Sequence, residues 1–298
     1  MSAALASGGE RLALRLERLE RAAKAERRFT TATLAVGAVI VLAIPLAALC
    51  APLLGVPDPN HQDLGAVLQS PSWAHPFGTD SVGRDLFSRT LAATWVDYPV
   101  GIVTTYVPLA MGVALGVIAG YFGGFLDALI MRIADVFLAF PFMVFVIAFI
   151  AVFGAGLLGV YVGIIAFGWA SFARITRGEM LVLRERQFMR AGQTLGLPTR
   201  RILFVHALPQ LLRPNLVFSM AVVVLNILAL ASLSYLGLGV QPPTPEWGAI
   251  VADGQQYLFT AWWVSTLPGL VVVLAGVGFS LLGDGLADRF GYDFRLTV

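Results

Sequence analysis

Charged side chains are scarce in this sequence. Only 13% of the 298 residues are Asp, Glu, Lys or Arg, whereas 58% are hydrophobic and the mean hydropathy is +0.80. A soluble domain of this size needs a far more polar surface, so the composition predicts a protein that lies in lipid. The formal net charge of +2 is too small to indicate a nucleic-acid partner.

Cysteine and the residue patterns of common catalytic sites are also lacking. The single cysteine, Cys50, is predicted to be a packing residue, because one thiol alone forms no internal disulfide. The sequence has no glycine-rich loop with Lys and Ser or Thr for binding nucleotide phosphates. The histidines, His61, His75 and His206, are too widely spaced to indicate a metal site. We therefore predict that this chain is not an enzyme and holds no metal or cofactor of its own.

Six long apolar stretches are present, and about 20 apolar residues are enough to cross a bilayer core. The first predicted span covers residues 31–54, and a polar loop at 55–94 follows it. A core at 95–285 holds the other five spans, at about residues 97–120, 126–153, 157–172, 215–238 and 262–282. The fold class predicted from these stretches is an all-α membrane protein with six transmembrane helices.

The basic residues indicate how the chain is oriented. Seven lie in the segment 1–30, eight in the loop at about 173–213 and two in the tail at 286–298. An even number of spans places these three segments on one side, which the positive-inside rule assigns to the cytoplasm. Both termini are then cytoplasmic and the loop 55–94 is external. Residues 10–28 have the pattern of an amphipathic helix, which either lies against lipid headgroups or binds a partner.

The loop at about 173–213 has a pattern that favours a docking element. A helical stretch is predicted from Arg174 to Leu195, with a stop at Gly196 and no immediate continuation at Pro198. A second helical stretch is predicted over residues 199–207, ending at Pro209. Apolar residues on the first stretch would allow it to enter a groove on another protein: Leu181, Phe188, Ala191 and Leu195. The alternative is a solvated connector between two spans.

The residues AGQTLG at 191–196, followed by HALP at 206–209, resemble the coupling loop of ABC importer permeases. The resemblance implies that a short cytoplasmic helix fits a cleft on the ATPase and transmits its closure. The coupling residues that it implies here are Arg190, Ala191, Gly192, Leu195, Gly196 and Pro198. The family's usual core is Glu-Ala-Ala, so this chain departs from it at Arg190 and Gly192.

Three further segments resemble the C-type permease of the dipeptide, oligopeptide and nickel importers. They are HPFGTD at 75–80 with GRD at 83–85, GYFGG at 120–124, and SYLGLGVQPPTPEWG at 234–248. The resemblance covers roughly residues 35 to 290. It departs at residues 95–98, where Trp-Val-Asp-Tyr replaces the family's pattern of small residues and arginine, and again at 291–293.

This resemblance implies a type I ABC importer permease in the inner membrane of a prokaryote. The implied partners are a second homologous permease, two ATP-binding subunits or one fused chain, an extracytoplasmic substrate-binding protein and membrane lipid. ATP and Mg would be bound by the ATPases. Peptides are the predicted substrate, and the alternatives are nickel or another small solute, or a secondary transporter driven by an ion gradient.

Three acidic residues at membrane depth, Asp97, Asp127 and Asp135, are predicted to face protein or water, because a carboxylate in lipid is costly. Asp127, Arg132 and Asp135 follow one another at the start of the third span. We predict a structural ion pair among these three residues, with a proton relay as the alternative.

Overall fold

The computed structural model of this chain describes residues 30–290. These residues form no β-strand, one short 3₁₀ helix at Gln255–Tyr257 and nine longer helices, in the order α1 (Thr30–Cys50), α2 (Leu86–Phe122), α3 (Gly124–Leu138), α4 (Phe142–Phe153), α5 (Leu157–Arg184), α6 (Gln187–Thr194), α7 (Thr199–Tyr235), α8 (Trp247–Gly254) and α9 (Trp263–Phe290). The predicted amphipathic helix at 10–28 and the end of the tail, 291–298, lie outside the described residues.

Five of these helices are long and apolar enough to cross a membrane: α1, α2, α5, α7 and α9. The pair α3 and α4 meets the same criterion together, with a bend of 86° between the two helices. The prediction of an all-α membrane protein is therefore confirmed, and the number of spans is six when α3 and α4 are counted as one. The bend lies at Pro141, because a proline disfavours a helical backbone at the residue before it.

Several helices extend further than hydropathy predicts. The helix α2 begins at Leu86, so the loop predicted to end at residue 94 ends at Asp85, whose Oδ1 accepts a hydrogen bond from the Ser88 N–H at 2.7 Å. The helix α5 continues past Phe172 to Arg184. Its 28 residues make it about 42 Å long, which exceeds the hydrocarbon core of a bilayer.

A row of glycines allows α2 to pack closely against α5. Gly112, Gly116 and Gly120 lie four residues apart on one face of α2. A Cβ atom on Gly112 would lie 2.5 Å from the carbonyl oxygen of Trp169, and one on Gly116 would lie 2.6 Å from that of Ala173. Small residues at this spacing are the usual means of close packing between helices in membranes. The Gly-x-x-x-Gly spacing in the sequence indicates such a contact, which hydropathy alone does not.

Buried amides connect α7 to its neighbours. The Asn226 Nδ2 donates to Thr105 Oγ1 of α2 at 2.9 Å, and the Asn215 Nδ2 donates to Thr176 Oγ1 of α5 at 3.0 Å. Hydrogen bonds of this kind between spans contribute roughly 1 kcal/mol each. The bundle therefore has α2, α5 and α7 at its centre.

The described chain has two distinct ends. Connections between helices near residues 123, 186 and 197 gather at one end, where Arg184 Nη1 donates to the Gly120 carbonyl oxygen at 3.0 Å. The loop 51–85 and the segment 236–262 form the other end, where Arg84 Nε donates to Asp80 Oδ2 at 2.6 Å and Arg84 Nη2 lies 3.8 Å from Asp253 Oδ2. Burial raises the pKa of Asp253, whereas the positive charges of Arg84 and Arg89 oppose that rise.

Candidate functional site

The helix α6 forms the corner between α5 and α7. The predicted helix from Arg174 to Leu195 was wrong as a single element, because the chain turns at Glu185 and Arg186 and Arg186 has an extended backbone. Only eight residues, Gln187–Thr194, make up α6. At the end of a long helix, this short segment is held outside the bundle.

The two faces of α6 differ sharply. Met189 and Gly192 are buried, and Met189 belongs to a core cluster with residues of α2, α5 and α7. On the adjacent face Phe188 is 41% exposed, Leu195 just beyond the helix is 79% exposed, and Ala191 between them is also exposed. The helix α6 is thus held in the bundle by Met189 and exposes an apolar surface to the outside of the protein.

The end of α6 is a Schellman motif, as the predicted stop at Gly196 requires. Gly196 has φ +71°, its N–H donates to the Gln193 carbonyl at 3.0 Å, and the Leu197 N–H donates to the Gly192 carbonyl at 3.0 Å. This pair of bonds satisfies carbonyl groups that the helix end leaves free. The left-handed backbone at Gly196 turns the chain towards Pro198 and α7.

The second predicted short helix, 199–207, does not end at Pro209. It continues as α7 to Tyr235 through a π-helical turn at Ile202–Ala207. In a regular α-helix the ring of Pro209 would meet the carbonyl of Val205. The wider π turn lies directly before the proline, and we attribute the continuation of the helix to it.

Several contacts join this corner to the bundle. Met189, Ile202 and Leu211 pack in one buried cluster with Phe172 and Met180 of α5. In addition, Gln193 Nε2 lies 3.5 Å from the Tyr121 hydroxyl at the end of α2. A displacement of α6 therefore acts on α5 and α7 at the same time.

The position at which the family has glutamate carries Arg190 here, and it pairs within the chain. Its guanidinium contacts the carboxylate of Glu185, the residue at the turn between α5 and α6. The hydrogen bond from Arg190 lowers the pKa of Glu185. Both side chains are exposed, so the pair contributes little to stability and leaves the arginine accessible.

The predicted ion pair within α3 was wrong in its partners. Asp127 binds Arg177 of α5 through two hydrogen bonds of 2.9 and 2.7 Å, and Asp135 binds Arg174 of α5 at 2.5 Å. Five residues separate Asp127 from Arg132, which places them about 140° apart around the helix. Both carboxylates thus attach α3 to α5, where the sequence had suggested a local pair with Arg132.

Gly192 is expected to tolerate alanine. A Cβ atom there would lie 3.6 Å from Leu197 Cδ1 and 3.7 Å from Ile202 Cγ1, which are ordinary contacts. The exchange removes the conformational freedom of a helical glycine and adds the hydrophobic contact typical of a Schellman motif. We expect Gly192→Ala to raise the free energy of unfolding by about 0.5–1 kcal/mol, measured by thermal denaturation in detergent. A lower melting temperature would contradict the described packing.

Comparison with known proteins places the chain in one family. Residues 112–295 match the family described as "Binding-protein-dependent transport system inner membrane component". The chain is 39% identical over 264 residues to the glutathione transport system permease protein GsiD of Pectobacterium atrosepticum, and the match covers 88% of each chain. It is 39% identical over 251 residues, 84% of each chain, to the probable D,D-dipeptide transport system permease protein DdpC of Escherichia coli.

Among solved structures, an inward-facing form of the MetNI methionine ABC transporter has a similar fold. The TM-score is 0.55 at 16% sequence identity, over 69% of this chain and 97% of the other. This likeness concerns the arrangement of helices alone. With the family match, the identity to relatives and the multi-pass helical fold, this chain belongs to the family of binding-protein-dependent transport system inner membrane components.

Proposed function

We propose that this protein is a permease subunit of an ATP-driven ABC importer that moves peptides across the cytoplasmic membrane. The observation that carries the proposal is α6, a short helix anchored by Met189 that presents Phe188, Ala191 and Leu195 to a partner. The peptide substrate is supported by relatives named as dipeptide and glutathione transport permeases.

The distribution of arginine supports a cytoplasmic location for α6. Of the described arginines, two lie at the end with the loop 51–85, namely Arg84 in the loop and Arg89 just after it. Eight lie between residues 174 and 213. The positive-inside rule assigns the end with α6 to the cytoplasm. Thr30 and Asp288 are within 3.3 Å of each other, so the start of α1 and the end of α9 share a side. This arrangement favours cytoplasmic termini.

In the proposed mechanism, this chain converts movement of the ATPases into a change of packing. Two ATP-binding subunits, or one fused chain, would bind ATP and Mg and would hold α6 in a cleft. Their closure would displace α6, and the cluster around Met189 would pass that displacement to α5 and α7. The pore would then alternate between two packings, each favoured by one state of the ATPases.

A cavity of about 400 Å³ between α2, α4, α5 and α7 is the candidate half of the transport path. Its lining is mostly apolar, with polar groups from Thr104, Ser171, Asn226 and Ser232. No Asp, Glu, His or Cys lines it, so it offers few ligands to a nickel ion and suits an uncharged peptide backbone. A second homologous permease would close its open side.

The opposite end of the molecule is the proposed docking side for a substrate-binding protein. Trp73 in the loop 51–85 and Phe259 in the segment 236–262 are fully exposed. Large exposed aromatic groups are common at protein interfaces. Their position at the far end of α2 from α6 separates this contact from the one with the ATPases.

The role of α6 is tested by adding a charge to its exposed face. We expect Leu195→Glu to reduce the amount of ATPase that co-purifies with the permease by about tenfold or more, because burying an unpaired carboxylate costs several kcal/mol. The control Trp73→Glu, at a fully exposed residue of the other end, should retain the ATPases. Unchanged co-purification for Leu195→Glu would contradict the proposal.

The substrate is tested in proteoliposomes that hold this chain, its second permease and its ATPases, with the binding protein added outside. Labelled dipeptide should accumulate inside the liposomes only when their lumen, which corresponds to the cytoplasm, contains ATP. Uptake by this chain alone, driven by a proton gradient, would instead indicate a secondary transporter. ATP-dependent uptake of nickel without uptake of peptides would contradict the proposed peptide substrate but would agree with the proposed ATP-driven mechanism.

A further inference from the structure

Two carboxyl groups meet in the interior of the protein at the end opposite to α6. Asp97 lies on α2 and Glu246 lies directly before α8, and both side chains are 0% exposed. The N–H of Trp247, the residue directly after Glu246, lies 3.2 Å from Asp97 Oδ2, which brings the two carboxyl groups into the same buried region. Two negative charges so close together in an apolar interior would be strongly unfavourable. The pair therefore requires either a cation or a proton.

Within residues 30–290, no arginine or histidine forms an ion pair with either carboxyl group. Tyr98, beside Asp97 on α2, packs with its ring against Trp247 and Phe279. The arginines at this end, Arg84 and Arg89, contact Asp80. The adjoining ends of α7 and α9 contribute no acidic or basic side chain to the pair among the described residues.

The negative charge of the pair belongs on Glu246. Its two oxygens accept hydrogen bonds from the N–H groups of Gly248 at 2.8 Å and Ala249 at 2.7 Å. These are free N–H groups at the start of α8, and the helix dipole also favours an anion there. Because both carboxylate oxygens already accept hydrogen bonds, Glu246 is satisfied as an anion.

The proton of the pair belongs on Asp97. Its Oδ2 accepts a hydrogen bond from the Trp247 N–H at 3.2 Å, whereas its Oδ1 is buried and has no hydrogen-bond donor among the described residues. A protonated carboxyl needs an acceptor in place of a donor, and the oxygens of Glu246 supply one. The orphaned oxygen is thus explained if Asp97 is a neutral acid.

We propose that Asp97 and Glu246 hold one proton between them and that this proton attaches α8 to α2. The same attachment includes Trp247, whose indole Nε1 donates to the Thr90 carbonyl oxygen at 2.9 Å. Loss of the proton would place two repelling charges at the point where α8 begins. Asp97 is a positioning residue for α8, since it acts through Glu246 and Trp247.

A consequence for transport rests on the proposed function. α8 packs against both α7 and α9 at the outer end, so opening of the pore to the outside would require α8 to shift or to move together with α2. While the pair is protonated it attaches α8 to α2, so a movement of the two helices together costs less free energy than a shift of α8 against α2. At alkaline external pH the pair would lose its proton, and the attachment of α8 to α2 at the outer end would weaken.

The proton is tested by infrared spectroscopy on the purified, assembled transporter. The carboxylic-acid C=O band should be present in the unmodified protein at neutral pH, and Asp97→Asn should abolish a component of it. The amide of asparagine donates a hydrogen bond to Glu246 as the acid does, so Asp97→Asn should assemble normally. Asp97→Ala should destabilise the protein. A spectrum unchanged by Asp97→Asn would overturn the proposal.

The pH dependence of the free energy of unfolding supplies a second test, because a purely structural role of Asp97 would not change it. In the unfolded chain a carboxyl ionises near about pH 4, so above that pH the native state holds a proton that the unfolded chain has released. Stability therefore falls as pH rises, and Asp97→Asn should flatten this slope. The control Asp58→Asn, in the exposed loop, should keep it. Equal slopes in all three proteins would count against the shared proton, and neither measurement depends on which solute is transported.

Discussion

Replacing Gly196 by valine is expected to leave the transporter hydrolysing ATP while uptake falls by about 5- to 30-fold. The backbone at Gly196 has φ +71°, which a β-branched residue adopts at a cost of about 1–2 kcal/mol. No atom lies within 4 Å of a Cβ atom at this position, so the effect comes from the backbone and not from a steric clash. The turn would relax, and α6 would lose its orientation between the ATPase and α7.

Two variants separate this effect from general damage. Gly196→Asn should keep most of the uptake, because asparagine tolerates the left-handed conformation. Gly55→Val introduces the same strain at φ +69°, also with no atom within 4 Å, in the loop after α1. It should leave the ratio of uptake to ATP hydrolysis unchanged. If Gly196→Val transports normally in proteoliposomes, α6 does not couple the two activities.

Replacing Gly116 by leucine is expected to prevent the bundle from forming. The first side-chain atom would lie 2.6 Å from the Ala173 carbonyl oxygen and 2.7 Å from Thr176 Cβ, both in α5. Neither helix can yield easily, because Gly112 and Gly120 hold the same interface on either side. We expect a loss of about 3 kcal/mol or more in the free energy of unfolding, measured as a lower melting temperature and a lower yield of monodisperse protein.

Gly178 provides the matched control. It lies in α5, the helix against which Gly116 packs, but no atom is within 4 Å of the position of its Cβ. Gly178→Leu should therefore leave the melting temperature unchanged or raise it slightly, because leucine is the better helix former. If both leucine variants melt at the same temperature, close contact between α2 and α5 is not what holds the bundle together.

Hydropathy predicted the number of spans because each span must present apolar side chains over a length set by the bilayer. It did not predict where α2 begins or where α5 ends. Both helices extend into polar sequence, where lipid no longer sets the composition. The bend of 86° before α4 was also missed, although Pro141 marks its position.

The candidate functional site also has features that the sequence predicted and features that it did not. The stop at Gly196 and the apolar face with Phe188 and Leu195 were predictable, since a cap and a helical face depend on neighbours within a few residues. The partners of Asp127 and Asp135 were not, because Arg174 and Arg177 follow about 40 or more residues later. Only the packing of α3 on α5 brings these groups together.

The sequence by itself determined that this protein is helical, lies in a membrane and carries a basic loop with a helix that stops at Gly196. Those properties follow from local composition and from turns that need a particular residue. The tertiary structure decided which buried polar groups meet: Asn226 with Thr105, and Asp97 with Glu246. Such pairs are separated by more than a hundred residues, and in a low-dielectric interior each group depends on the partner that the fold brings to it.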